Sequence, residues 1–401
     1  MDGPQLLILV TLVLIVAGAV ELWAHRRRLR RIPIRIHVNG TRGKSSVTRL
    51  IAAALREAGI VTCAKTTGTL ARMILPDGRE VPIFRPAGAN VLEQLRIVST
   101  AHAYGAQALV IECMALAPEL QSLSERRMVE ATHGVITNAR PDHLDVMGPD
   151  PKNVARALAG STPVRAKLYT AEREHLEVLR NSAEDRGSEL VAVGEEDVRD
   201  IGSEVLDHFR YTEHADNVAL ALRVCVDLGV EREVALQGMW KSPPDPGAMT
   251  EHAVSFFGRE IMFVNAFAAN DPVSSRLLWE LALARHPECE QKIMLFNCRA
   301  DRVDRSMHLG EEFSRWPQVE KVVLMGSGTY LFARAAALAG YEAERLVFAE
   351  GLDAQGIFEQ LVSLVEHSAL IVGMGNIGGA GLDLVQYFRN RSAPKREASH
   401  A

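Results

Sequence analysis

The sequence has no internal repeat, no low-complexity block and no CxxC pair. Its 5 cysteines, Cys63, Cys113, Cys225, Cys289 and Cys298, are odd in number and scattered. That pattern excludes a disulfide framework and gives no spacing for a structural zinc site. Reduced thiols in a cytosolic compartment are the simplest reading. A positive bulk charge is also missing: the formal net charge is −5, which offers nothing to nucleic acid. What remains is ordinary for a globular protein, 47% hydrophobic and 24% charged, and the 401 residues are enough for two or three domains.

The N-terminus departs from that average. Leu6 to Val20 reads LLILVTLVLIVAGAV without a charge, and Glu21-Leu22-Trp23-Ala24 follows. Extended through Trp23, the run approaches the roughly 20 apolar residues that a spanning helix needs. Trp23 suits an interfacial anchor, and HRRRLRR, residues 25–31, is a dense basic cluster. No basic residue precedes the run, so the n-region of a secretory signal is lacking. The positive-inside rule puts the arginines and everything after them in the cytoplasm. A buried core helix is the competing reading, but little chain precedes the run to bury it.

Ile34 to Val38 alternates as a strand does, and Ser46 to Leu55 places Val47, Leu50, Ile51 and Leu55 at helical spacing. Between them stands Gly40-Thr41-Arg42-Gly43-Lys44-Ser45. Strand, glycine turn and helix together form the context of a phosphate-binding loop. Glycines let backbone N–H groups converge on phosphate oxygens, and the helix N-terminus adds positive potential. Lys44 is placed to reach the terminal phosphates and Ser45 to ligate Mg²⁺ beside Ser46. Val38 stands where the longer form of the motif has a further glycine, so the match is to the short form G-T-x-G-K-[ST].

Downstream, ALVIE (108–112) reads as a buried strand ending in Glu112. A carboxylate there either helps hold Mg²⁺ or is a solvated strand end. HGVITNARPDHLDVMG (133–148) is a short strand and then a polar loop crowded with Asn138, Asp142, His143 and Asp145. It reads either as a metal or phosphate loop or as a helix cap. EHADNVALALRVCVDLGV (213–230) is an apolar helix with Asn217 near its start, where an N-cap role is one option.

Together, G-T-x-G-K-S, the strand-end Glu, T-N-x(3)-D-H-L-D-V-x-G and the Asn-led helix resemble the Mur ligase superfamily of ATP-dependent amide ligases. The DHLDVMG run is similar to folylpolyglutamate synthetase. HVNGTRGKSSVTRL, NAFAANDPVSS (265–275), FNCRADRVDR (296–305), VGMGNIGGAG (372–381) and the anchor resemble the ligase subunits of poly-γ-glutamate synthases, which make capsule polymer. The resemblance implies that a carboxylate takes the γ-phosphoryl group of ATP and that an amine then attacks the acyl phosphate. It implies that Lys44 binds β- and γ-phosphates, Ser45 and Glu112 hold one Mg²⁺, and His143 holds or orients a second. Asn138 is implied near the phosphates and Asn217 at adenine. Two anions at 4 Å repel by about 1 kcal/mol in water and about 4 at an effective dielectric of 20, which is why cations are needed.

The chain also departs from its relatives. Asn270-Asp271-Pro272 takes the last three places of D-x-A-H-N-P, leaving Asp271 to position substrate or nucleotide. Gly247 is followed by Ala248, so the hinge supplies no Arg; Arg299 or Arg302 is a candidate substitute on the substrate side. Leu158 stands where relatives carry a carbamylated Lys, with Lys152 and Lys167 nearby in sequence.

The expected architecture is α/β with one N-terminal transmembrane helix. An anchor and basic linker (1–31) lead into an ATP-binding domain with a parallel sheet (32–243). A smaller Rossmann-like domain (244–391) and a disordered tail (392–401) follow. KSPPDPG (241–247) reads as the hinge. KIMLFN, KVVLMG and ALIVGM read as buried strands of the second domain, and GMGNIGG is too weak a signal for a dinucleotide site. The expected function is ATP-dependent ligation of glutamate onto the γ-carboxyl of a poly-γ-glutamate chain, using ATP and Mg²⁺. The expected place is the inner face of the cytoplasmic membrane, with a polytopic partner subunit. A folylpolyglutamate-synthetase-like ligase and a non-enzymatic ATP-binding subunit of an export complex are the alternatives.

Overall fold

A computed structural model describes residues 3–67, 71–85, 88–209, 211–244, 249–268, 271–317 and 319–392, without the side chain of Asp145. Part of the hinge (245–248), Asn270 and the tail after Ser392 lie outside the described residues. The chain divides into two compact units, Met1–Asp245 and Pro246–Ala401.

The first unit is a mixed sheet with helices on both faces. Its strands are β1 (Ile34–Asn39), β2 (Thr62–Lys65), β3 (Arg72–Ile74), β4 (Glu80–Pro82), β5 (Ala108–Glu112), β6 (His133–Ile136), β7 (Lys167–Thr170) and β8 (Glu189–Ala192), in the order β4-β3-β2-β5-β1-β6-β7-β8. β3 pairs antiparallel with both β2 and β4; the remaining pairs are parallel. β1 lies between β5 and β6, where the order of the chain reverses. A ligand crevice forms at the carboxyl ends of strands at such a point. The central position also explains β1 itself. Ile36 to Asn39 are all buried although the sequence alternates, because helices cover both faces. Its polar residues are paired inside: His37 Nδ1 lies 2.7 Å from Glu125 Oε2, and Asn39 donates to Gln121 and Ser161.

The apolar N-terminal run forms helix α1 (Gly3–Arg30), and the basic cluster is not a separate linker as expected from sequence. The helix continues through it, and His25 and Leu29 are buried. Leu29 and Ile32 pack with Ile97, Val98, Met128 and Val129, and His25 Nε2 lies 2.9 Å from the Met128 carbonyl. Arg35 donates to the carbonyls of Leu29 and Ile32 and also to those of Val129 and Glu130. The open end of α1 is thereby tied to the π-helical turn Ser124–Val129, which satisfies carbonyls that a helix end leaves bare. The rest of the helix projects from the unit, with no residue of its apolar window buried.

The second unit is a sheet of β9 (Thr250–Phe256), β10 (Arg259–Asn265), β11 (Gln291–Cys298), β12 (Lys321–Gly326), β13 (Leu346–Glu350) and β14 (Ser368–Met374), ordered β13-β12-β11-β14-β10-β9. All pairs are parallel except β9 with β10. The runs KIMLFN, KVVLMG and ALIVGM lie in β11, β12 and β14. The glycines after β14 serve close packing. A Cβ on Gly375 would come within 2.8 Å of the Asn297 carbonyl, while Asn297 Nδ2 donates to Asn376 and Gly378 carbonyls.

Candidate active site

Helix α2 (Lys44–Glu57) starts directly after the glycine turn and is amphipathic enough to bury Val47, Leu50, Ile51 and Leu55. That burial fixes its N-terminus at the carboxyl end of β1. Gly40 and Gly43 have φ of 131° and 82°, a region that favours glycine. Space demands the same residue: a Cβ on Gly40 would sit 2.0 Å from Thr137 Oγ1, and one on Gly43 would sit 2.4 Å from Asn217 Oδ1. The Lys44 ammonium is folded back onto its own loop, donating to Gly40 O at 2.7 Å and Thr41 O at 3.1 Å.

Asn138 shapes this loop from 97 residues away. Its Oδ1 accepts from Thr41 Oγ1 at 2.7 Å and from the Arg42 N–H at 3.1 Å, and its Nδ2 donates to the Arg42 carbonyl. Thr137 Oγ1 donates to the same carbonyl at 2.6 Å. Its amide is thus engaged with the turn's backbone, and Ser46 lies in the next turn, half-buried.

Glu112 ends β5, only 2% exposed, so it is no solvated strand end. One oxygen accepts from Ser45 Oγ at 2.9 Å and from the Thr67 N–H at 2.7 Å, and the other accepts from Thr67 Oγ1. Two hydroxyls and a carboxylate are hard oxygen donors, the kind that a small divalent cation such as Mg²⁺ accepts while keeping several waters. Thr67 was not foreseen in the sequence. It lies 45 residues before Glu112, and only the adjacency of β2 and β5 joins them.

His143 has φ of 47° and precedes the short helix α5 (Leu144–Met147), whose N-cap it occupies; α4 (Pro118–Leu123) lies earlier, and α2 and α4 are separated by α3 (Glu93–Ala103). Its Nε2 is 3.9 Å from Asp142 Oδ1 and its ring is partly exposed. Among the described residues no three His, Cys, Asp or Glu side chains converge as a metal cluster. Leu158, in helix α6 (Pro151–Ala159), is fully buried in an apolar cluster with Ile136, Val154 and Leu168. Lys167 begins β7, at the opposite edge of the sheet from the glycine turn, and lies 3.4 Å from Asp227. Lys152 is exposed near the start of α6.

Asn217 is not an N-cap. The cap of the Ala215–Asp227 helix is His214, and Asn217 stands one turn inside it. The Asn217 Nδ2 donates to Glu213 Oε1 at 2.9 Å, which turns its Oδ1 toward Gly43. Burial pushes the Glu213 carboxyl above the usual carboxylate range. Glu213 lies just before the His214 cap, outside the helix, so helical spacing does not announce this pair. Between these groups lies a cavity of about 230 Å³ lined by Asn138, Arg140, Glu172, Arg173, Asp216 and Asn217. Glu172 secures its wall by accepting from the Ala139 and His175 N–H groups.

The remaining predicted residues belong to the second unit, at the carboxyl edge of its sheet. Asp271 caps the Pro272–Arg285 helix, accepting from the Ser274 N–H at 2.9 Å. Arg299 follows β11 and is held by Asp301 through two bonds of 2.9 and 2.8 Å. Arg302 stands at the N-cap position of the Val303–Glu312 helix without a side-chain capping bond and is exposed.

Residues 38–235 match the Mur ligase middle domain, and residues 251–391 match the C-terminal domain of the poly-gamma-glutamate synthase CapB. The chain is 36% identical over 390 residues to the capsule biosynthesis protein CapB of Bacillus anthracis, covering 97% of this chain and 83% of that one. It is 36% identical over 383 residues to the PGA synthase CapB of Bacillus subtilis (strain 168), covering 95% and 96%. Among solved structures it resembles E. coli FolC in complex with ADP, with a TM-score of 0.66, 15% identity and 92% of each chain covered. A bifunctional folylpolyglutamate synthase/dihydrofolate synthase with Mn, AMPPNP and L-glutamate bound gives a TM-score of 0.63 at 15% identity, covering 91% of this chain and 92% of that one. At such identity the structural likeness speaks to the fold alone.

Proposed function

This chain belongs to the CapB family of poly-γ-glutamate synthases, and on that premise we propose how its residues carry out the family's ligation. It is an ATP-dependent amide ligase built on a Mur ligase middle domain. The observation that carries the residue assignment is Glu112, clasped by Ser45 and Thr67 beside the glycine turn that bears Lys44. The turn's N–H groups and the α2 N-terminus receive the phosphates of ATP. Lys44 leaves the carbonyls of Gly40 and Thr41 for the β- and γ-phosphates. Asn138 and Thr137 hold the turn in shape, and Asn217, oriented by Glu213, bounds the cavity for the nucleoside. Ser45, Glu112 and Thr67 would hold Mg²⁺, with His143 toward a second ion. The chemistry supplied at that position would be neutralisation of phosphate charge.

The γ-carboxylate of the chain end attacks the γ-phosphorus, the bond to ADP breaks, and an acyl phosphate forms. The glutamate amine then attacks the acyl carbon, inorganic phosphate leaves, and the amine proton passes to solvent or a nearby base. Arg299 and Arg302 of the second unit are assigned to glutamate and polymer carboxylates, and Asp271 to positioning substrate or nucleotide. The binding of L-glutamate by a solved relative of like fold supports an amino-acid acceptor. Expression with its membrane partner and assay for glutamate-dependent ATP breakdown and a γ-linked polymer tests this. ATP breakdown indifferent to glutamate would overturn it.

Leu158 rules out a carbamylated Lys at its own position, and Lys167 is at the wrong edge of the sheet. A second ion would then be held by His143 and Glu112 together with phosphate oxygens and water. Activity at moderately acidic pH should not change with added bicarbonate. Strong rescue by bicarbonate, or a crystal structure with added density on Lys152, would contradict this.

Helix α1 is long and apolar enough to cross a membrane, with a mean hydropathy of 2.6 over its window. We assign it as a single-pass anchor with the catalytic units in the cytoplasm and a polytopic subunit alongside. A chain starting at Ala24 keeps His25, Leu29 and Ile32, and should be soluble and bind ATP. A chain starting at Ile32 loses buried Leu29 and should be less stable by about 2–5 kcal/mol, the range for a deleted core leucine. Thermal melts and membrane fractionation of both, without partners, check the two statements. An Ala24 chain that stays in the membrane fraction after a high-salt wash, which releases charge-held surface contacts, would refute the single anchor.

A further inference from the structure

The tie between α1 and the π-helical turn brings distant charges together. Arg26, Arg27, Arg30 and Arg31 are exposed at the end of α1, and Arg27 lies over the Trp23 ring at 5.3 Å from its centroid. Roughly a hundred residues later in the chain, Arg126 and Arg127 are exposed on the π-helical turn, whose next residue, Met128, meets His25. His25 is two residues past Trp23, roughly 3 Å of helical rise. That places the turn at the depth of lipid headgroups, which form a layer of roughly 5–8 Å on each side of the hydrocarbon. The acids that face the cluster are few. Glu130 lies 4.0 Å from Arg26, Glu21 is on α1 itself, and Glu125 is turned inward to His37.

We propose that Arg126 and Arg127, with the arginines at the end of α1, form a bilayer-facing collar that binds anionic lipid headgroups and docks the amino-terminal edge of the first sheet on the membrane. The proposal rests on the anchor reading of α1. Its occupant is lipid rather than the polyanionic product because of where each is found. The collar is at the edge where β1 begins. The glycine turn and Glu112 are at the other edge, and the 6 residues of β1 separate the two by roughly 20 Å. The collar also sits beside a projecting helix whose apolar residues are exposed from Leu6 to Trp23. With the collar docked, the ligation site faces away from the bilayer, and the growing polymer begins its path to export at a distance from the membrane surface.

The test uses the full chain in lipid nanodiscs. All five native cysteines are buried, so Leu123→Cys, at a residue 42% exposed just before the π-helical turn, takes a bimane label selectively. The readout is quenching by headgroup spin-labelled lipid. Quenching should be stronger in discs containing phosphatidylglycerol than in pure phosphatidylcholine. R126E/R127E should lose that difference, the docked-to-undocked ratio falling at least roughly thirty-fold, since each surface arginine is worth about a factor of five. R126Q/R127Q should fall between. Equal quenching in both lipids, or a lipid difference that survives R126E/R127E, would overturn the proposal. So would soluble poly-γ-glutamate binding to phosphatidylcholine discs in a manner abolished by the reversal, which would make the collar a polymer site. Co-elution of chain and disc reads the anchor separately; if the chain does not enter discs, the anchor and the collar fall together.

Discussion

Lys44→Ala should lower ATP turnover by roughly 10²- to 10³-fold, the scale for removing one preorganised charge stabiliser from a transition state. The fold should survive. Lys44 is the first residue of α2, only half-buried, and its two bonds go to backbone carbonyls of its own turn, not to the core. Its removal leaves the apolar face of α2 untouched, so the thermal midpoint should move by no more than a few degrees, as for a change within about 1 kcal/mol. Arginine at this position should not restore turnover fully, because a planar fork does not replace a compact ammonium within a tight turn. Wild-type turnover in purified Lys44→Ala would remove the phosphate-loop assignment altogether, since no other residue of the turn carries an ammonium.

Glu112→Gln should depress Mg²⁺-dependent turnover by a comparable factor while leaving metal-free ATP binding much less affected. The carboxylate accepts from three donors, one on Ser45 and two on Thr67. Glutamine presents an N–H to at least one of them, so a stability cost of about 1–3 kcal/mol accompanies the change. That cost alone does not discriminate between roles. The discriminating measurement is the ratio of ATP affinity with and without Mg²⁺. An unchanged ratio would make Glu112 a structural clasp for the Thr67 segment. A collapsed ratio supports its place among the metal ligands. Thr67→Val offers a control of a different kind, keeping the shape while removing one donor. A Mg²⁺ dependence lost there as well ties the hydroxyl to the same ion.

The long apolar helix, the glycine turn between strand and helix, and the strand-end carboxylate were all legible in the sequence. Each depends on short-range regularities: a long apolar run, residues needed at positive φ, and an apolar strand broken by a charge. The buried strands β11, β12 and β14 were visible for the same reason. β3, β4, β9 and β10 were not, because their hairpins carry mixed sequences with no clean alternation. The helical continuation of the basic cluster was also hidden. Its burial depends on Arg35 and the π-helical turn, which lie outside any local window.

Tertiary structure alone decided which distant groups meet. Thr67 reaches Glu112 because β2 lies beside β5, Asn138 reaches the glycine turn because β6 lies beside β1, and Arg126 and Arg127 join the α1 arginines because α1 ends against their turn. Asn217 changed from a possible cap to a neighbour of Gly43 for the same cause, since its helix packs on α2. Sequence by itself determined the local chemistry, because spacing along a strand or helix sets which face a residue takes. It could not determine the partners, because strand order is settled by packing of the whole sheet, in which contacts between residues far apart in the chain are paid for jointly rather than one at a time.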